Sequence, residues 1–170
     1  MIWRYITIPQ AVAGLAFLLP WMSVSVSNKP VADAAGWQLA AGRLPVHVDL
    51  SIAKIDATAA PHVNYLLVGA LALIVVGLLL TLLSRPRPFL LIGSSILAFA
   101  LTWAGTSRYS SETLTDAVRG KLGVLADLGA ITVRVDWEWG LWVAVTALVL
   151  SGVMAWMAFN EARLGPPPPD

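Results

Sequence analysis

Residues 63–105 read VNYLLVGALALIVVGLLLTLLSRPRPFLLIGSSILAFALTWAG, and this stretch decides the fold class. Its two apolar runs, 63–83 and 89–105, contain no Asp, Glu, Lys, Arg or His. Crossing the hydrocarbon of a bilayer takes about 20 such residues, with a range of about 17–25. The second run is at the short end and is expected to continue to about residue 107. Between the runs, residues 84–88 (SRPRP) hold two prolines, which interrupt a helix and leave only a tight turn. A turn that short makes its two helices antiparallel. Arg85 and Arg87 mark it as cytoplasmic, since basic residues accumulate in the loops that stay inside.

Two further apolar runs flank this hairpin: 6–26 (ITIPQAVAGLAFLLPWMSVSV) and 140–159 (GLWVAVTALVLSGVMAWMAF). The expected fold class is therefore a membrane all-α protein, a four-transmembrane-helix bundle with helices at about 6–26, 63–83, 89–107 and 140–160. Arg4 and Arg163 fall on the same side as Arg85 and Arg87. Both termini are then cytoplasmic, and the long connections 27–62 and 106–139 face outward. Residues 165–170 (GPPPPD) form a proline-rich tail, expected to be extended. The start of the chain also fits a cleaved signal peptide, with Arg4, an apolar stretch 11–19 and a tolerable cleavage site at 25–27 (SVS). Pro20-Trp21 at the end of that run points instead to a retained helix turning into ordered structure.

Composition agrees with lipid as the solvent. The 170 residues are 58% hydrophobic and 12% charged, with mean hydropathy +0.75; soluble domains carry about 25% charged residues. A net charge of +1 with no basic cluster gives no footprint for nucleic acid. With no cysteine, disulfides, thiolate metal sites and thiol redox chemistry are excluded, including that of disulfide-forming four-helix membrane oxidoreductases. Aromatic residues suit membrane boundaries: Trp3, Tyr5 and Trp156 on the inner side; Trp21, Tyr65, Trp103, Tyr109, Trp137, Trp139 and Trp142 on the outer.

The outer connections are patterned for order. Residues 46–52 (VHVDLSI) and 131–139 (ITVRVDWEW) alternate with a period of two, the mark of half-buried strands, and 23–27 (SVSVS) alternates as it leaves the membrane. Residues 36–42 (GWQLAAG) read as a short helix or turn with Trp37 packing inward. Thr113 and Asp116 suit a capping box before an amphipathic helix whose face is Leu114, Val118, Leu122 and Leu125. A small extracytoplasmic antiparallel β-sheet from the two loops, with that short amphipathic helix, is expected to cap the bundle.

The Leu19-Pro20-Trp21 exit, the 36–42 GWQLAAG loop and the 131–135 ITVRV strand leading to Gly140-Leu141-Trp142 occur in this order along most of the chain. This pattern resembles a group of small bacterial four-helix membrane proteins with no established activity. The resemblance implies a bacterial inner (plasma) membrane. By layout alone the chain is similar to claudin-like tetraspan proteins, without their loop cysteine pair.

Chemistry is sparse. Charged residues inside a membrane mark ion paths and proton relays, and the four runs contain none. That removes the carboxylate a proton-coupled exporter needs and the histidines a haem-b bundle needs. Ser94, Ala98 and Thr102, and Ala147, Ser151 and Ala155, form small-residue stripes that let helices approach closely, within the bundle or against a partner helix. His47, Asp49 and His62 lack the spacing of a metal site and read as loop residues. Arg134, Asp136 and Glu138 share the polar face of a strand, solvated or facing a partner. No catalytic residue, cofactor or metal is expected. The leading expectation is an accessory or structural subunit that meets other membrane protein subunits through helix faces and outer loops. The alternative is a small oligomeric channel or transporter for an uncharged or lipid-like solute, lined by Ser94, Ser95, Thr102 and Thr146.

Overall fold

A computed structural model describes residues 5–26, 29–43, 45–50, 53–58, 62–82, 88–110 and 133–164. Three helices in it are long and apolar enough to cross a membrane: α3 (Tyr65–Leu82), α4 (Pro88–Thr106) and α5 (Trp139–Leu164). At 1.5 Å per residue these are about 27, 28 and 39 Å long. Their apolar character runs around the whole circumference, so one side packs inward and the other is bare. Val75, Leu79, Ile96, Leu97, Leu150 and Val153 are all exposed. In water a surface of this kind would be a large unpartnered patch; hydrocarbon accepts it.

The expected helix over 6–26 is not formed. Helix α1 covers only Thr7–Ala16, about 15 Å against the ~30 Å of a hydrocarbon core, and the chain is already a strand, β1 (Pro20–Val26), four residues later. The cause is Pro20. It has no N–H to offer the Ala16 carbonyl four residues back, and it drives Leu19 out of the helical region. The last turn tightens first, with Leu18 N–H on the Leu15 carbonyl (2.9 Å) and Leu19 N–H on that of Ala16 (3.1 Å). The segment is nevertheless long in space. Ile6 packs with Leu91 and Ala155, while Pro20 abuts Gly140; Gly140 and Ala155 are about 22 Å apart along α5.

After β1 come β2 (Lys29–Ala35), α2 (Gly36–Ala40), β3 (Pro45–Leu50) and β4 (Ala53–Thr58), and β5 (Val133–Trp137) precedes α5. The strands form one antiparallel sheet in the order β4-β3-β2-β1-β5. Strand β1 is its centre, with Ser23 opposite Asp33 on one side and Asp136 on the other. The β3–β4 hairpin joins at the Ala32–Val46 pair. Strands expected at 46–52, 23–27 and 131–139 thus appear with shifted ends, whereas β2 and β4 carry no clear alternation in sequence. Trp139 belongs to α5, not to the strand before it. The expected helix with Leu114, Val118, Leu122 and Leu125 lies outside the described residues, as do Arg85, Arg87 and the 165–170 tail.

Sheet and bundle share one core. Met22, Val24, Ala32 and Ala34 beneath the sheet pack in the same cluster as Ala13, Phe17, Leu67, Ala98 and Leu148 from the helices. A bulge between Pro20 and Met22 lets Trp21 and Met22 both turn inward, against strict alternation.

Candidate functional site: the sheet–bundle junction and the buried polar chain

Trp21 is the centre of the junction. Its side chain is fully buried inside the protein, so the ring packs in the core, whereas the residues of the outer aromatic group were expected to meet headgroups. The indole N–H donates to the Ala16 carbonyl at 2.7 Å, replacing the bond that Pro20 cannot make. Phe17 tilts against the ring at 4.4 Å between centroids. Two glycines let backbone reach the indole on either side. A Cβ at Gly36 would stand 2.5 Å from Trp21 Cε2, and one at Gly140 3.0 Å from its Cδ1. The ends of α1 and α2 also satisfy one another: Trp37 N–H donates to the Phe17 carbonyl (2.9 Å) and Gly36 N–H to that of Leu19 (3.4 Å). These are the groups that helix ends otherwise leave orphaned.

A second polar constellation lies deeper in the bundle. The Ser95 hydroxyl is 3.2 Å from Ser151 Oγ, Ser151 donates to Gln10 Oε1 (2.7 Å), and Gln10 Nε2 donates to the Ile74 carbonyl (3.2 Å). One buried chain of bonds therefore ties α4, α5, α1 and α3 together. It is possible because Gly77 has no side chain, as a Cβ there would run into the Gln10 amide. Near the sheet, Asn64 caps α3, with Oδ1 accepting from Leu67 N–H (3.4 Å) and Nδ2 donating to the Gly105 carbonyl (3.0 Å). The Tyr109 hydroxyl donates to the Leu39 carbonyl at 2.8 Å.

The partner or packing candidates divide by this geometry. Ser94, Ala98, Thr102, Ala147, Ser151 and Ala155 are all buried inside the chain's own bundle. Among the described residues, the Thr102 hydroxyl is the buried side-chain polar atom without a hydrogen-bond partner. Trp37 was expected inward and is instead 42% exposed, because α2 turns Leu39 and Ala40 into the core and leaves Trp37 on its other face. Arg134 and Asp136 form an exposed ion pair at 3.0 Å on the sheet's open face. Beside it Glu138 Oε1 accepts from the Ser23 hydroxyl at 2.8 Å. An apolar groove of about 370 Å³ runs between Ile96, Phe99, Val149 and Val153, and one of about 550 Å³ between α1 and α5 exposes Thr146.

Gln10 is the participant that sequence reasoning left without a role. Its signal was present: it is the only side-chain amide within the first apolar run, and an amide surrounded by lipid or core must find partners. Among the described residues no group of three His, Asp or Glu side chains is placed to hold a metal ion. His62 is exposed; the His47 and Asp49 side chains lie outside what is described. No protein-family model and no curated protein sequence matches the chain.

Proposed function

We propose that this protein is a non-catalytic integral membrane protein, an accessory or structural subunit of a larger complex in a bacterial plasma membrane. Both termini are cytoplasmic and the sheet lies outside. The first segment, from Ile6 to Pro20, completes a four-part bundle beside α3, α4 and α5. Three short motifs around Trp21, Gly36 and Gly140 meet at one junction, which supports the resemblance to the small bacterial four-helix proteins.

The observation that carries this reading is that most of the bundle's buried polar side chains, the Thr102 hydroxyl excepted, are bonded within it. Gln10, Asn64, Ser95 and Ser151 bond to one another or to backbone, and Thr81 and Ser94 bond back to their own helices. What the protein still offers a partner is surface: bare apolar helix faces for neighbouring membrane subunits, and the polar face of the sheet for soluble ones. The small-residue stripes are consumed internally, so lateral partners meet the exposed faces instead. Of the four hydroxyl residues the channel reading would use, Ser94, Ser95 and Thr102 are buried in helix contacts, and Thr146 is exposed on the groove between α1 and α5.

Extraction in a mild detergent followed by purification through a C-terminal tag is expected to recover stoichiometric partner subunits. A clean monomer under several such conditions refutes the proposal. A reporter fused after Asp170 is expected to act in the cytoplasm, and activity outside the cell refutes the topology.

A further inference from the structure

We propose that α2 lies in the headgroup region of the leaflet on the sheet side, with Trp37 as its interfacial anchor and the lipid surface as its partner. The short helix is fixed at both ends to the rim of the apolar belt. Its start is bonded to the turn that follows α1 through Trp37 N–H and the Phe17 carbonyl, next to Leu15 and Leu18, which are among the most exposed apolar residues of the first segment. Its end is bonded to the start of α3, where Asn64 N–H donates to the Ala40 carbonyl at 3.0 Å and Val63 and Tyr65 are exposed. Helix α2 therefore bridges α1 and α3 at the level where the lipid-facing surface ends, and its open face continues that surface.

The open face has interfacial chemistry. Trp37 and Ala41, one turn apart, are exposed, while Gly36, Leu39 and Ala40 are buried beneath them. The indole N–H of Trp37, unlike that of Trp21, has no partner among the described residues. An indole combines a large apolar body with one donor, which suits the boundary where ester carbonyls and phosphates meet hydrocarbon. Arg43 is exposed two residues beyond Ala41, and a guanidinium pairs well with lipid phosphate. The inference does not depend on any partner subunit, so it stands or falls apart from the accessory role.

The chain has no cysteine, so a single introduced thiol reports one position. Trp37→Cys, Asp33→Cys and Leu15→Cys proteins, each carrying a polarity-sensitive fluorophore, are reconstituted in phosphatidylcholine vesicles. Nitroxide lipids and aqueous iodide serve as quenchers. Position 15 is expected to be quenched by acyl-chain nitroxide and position 33 by iodide. Position 37 is expected to be blue-shifted relative to 33 and quenched most by nitroxide at the headgroup or first acyl carbons. A position 37 that behaves like 33, or that neither quencher reaches, overturns the proposal. Should Trp37→Cys not yield monodisperse protein, Ala41→Cys carries the same test with Trp37 in place. Loss of lipid quenching at position 15 as well would indict membrane embedding itself, separating the two failures.

Discussion

Gly36→Ala tests whether Trp21 holds the sheet to the bundle. The new methyl carbon would fall 2.5, 2.8 and 2.9 Å from three atoms of the indole, where carbon atoms rest at about 3.5–4.0 Å. The ring must therefore move by about 1 Å. It has nowhere to go: its N–H is bonded to the Ala16 carbonyl, Phe17 lies against it and the Gly140 backbone closes the other side. Overpacking a rigid core costs about 1–3 kcal/mol, and this case belongs at the upper end. For a chain of this size that is a fall in Tm on the order of 10 °C, measured by circular dichroism in detergent.

Trp21→Leu is itself expected to cost about 3 kcal/mol, through lost burial and the lost indole hydrogen bond. In that background the clash is relieved, because the three nearest atoms all belong to the Trp21 ring. Gly36→Ala should then be nearly neutral, a coupling of about 2–3 kcal/mol between the two sites. If the two costs simply add, the alanine acts through something other than the indole and the reasoning about the junction is wrong.

The buried chain supports a parallel expectation. Gly77→Ala destabilises the wild-type bundle by crowding the Gln10 amide but is tolerated beside Gln10→Ala; equal melting losses in both backgrounds would contradict it. Gln10→Ala alone removes two bonds and costs about 1–2 kcal/mol, modest because groups in a membrane find other partners when unfolded. Arg134→Ala breaks an ion pair whose side chains are 71% and 48% exposed, so Tm should hardly change, within about 0.5 kcal/mol. Intact-mass measurement of the membrane-extracted protein should show residues 6–26 retained. Cleavage near 25–27 would remove the sheet's central strand and Gln10 together.

The sequence by itself determined α3, α4 and α5. Their residues are uncharged for the length of a bilayer, and a helix satisfies its backbone within the same stretch, so no distant information is needed. Period-two alternation made β1, β3 and β5 legible in the same local way, and the glycine-bounded 36–42 stretch announced α2. Only the tertiary structure decided the rest. Pro20 ends the helix, but whether residues 20–26 then become a strand depends on β2 beside them and on β5, more than a hundred residues away, since a strand's hydrogen bonds go to other segments. Pro20 was visible, but what replaces its missing bond, the Trp21 indole, was not. Trp21 and Trp37 are the same residue type near the same boundary, yet one is enclosed and the other open. The difference comes from which backbones approach each ring, and that is a property of the assembled fold.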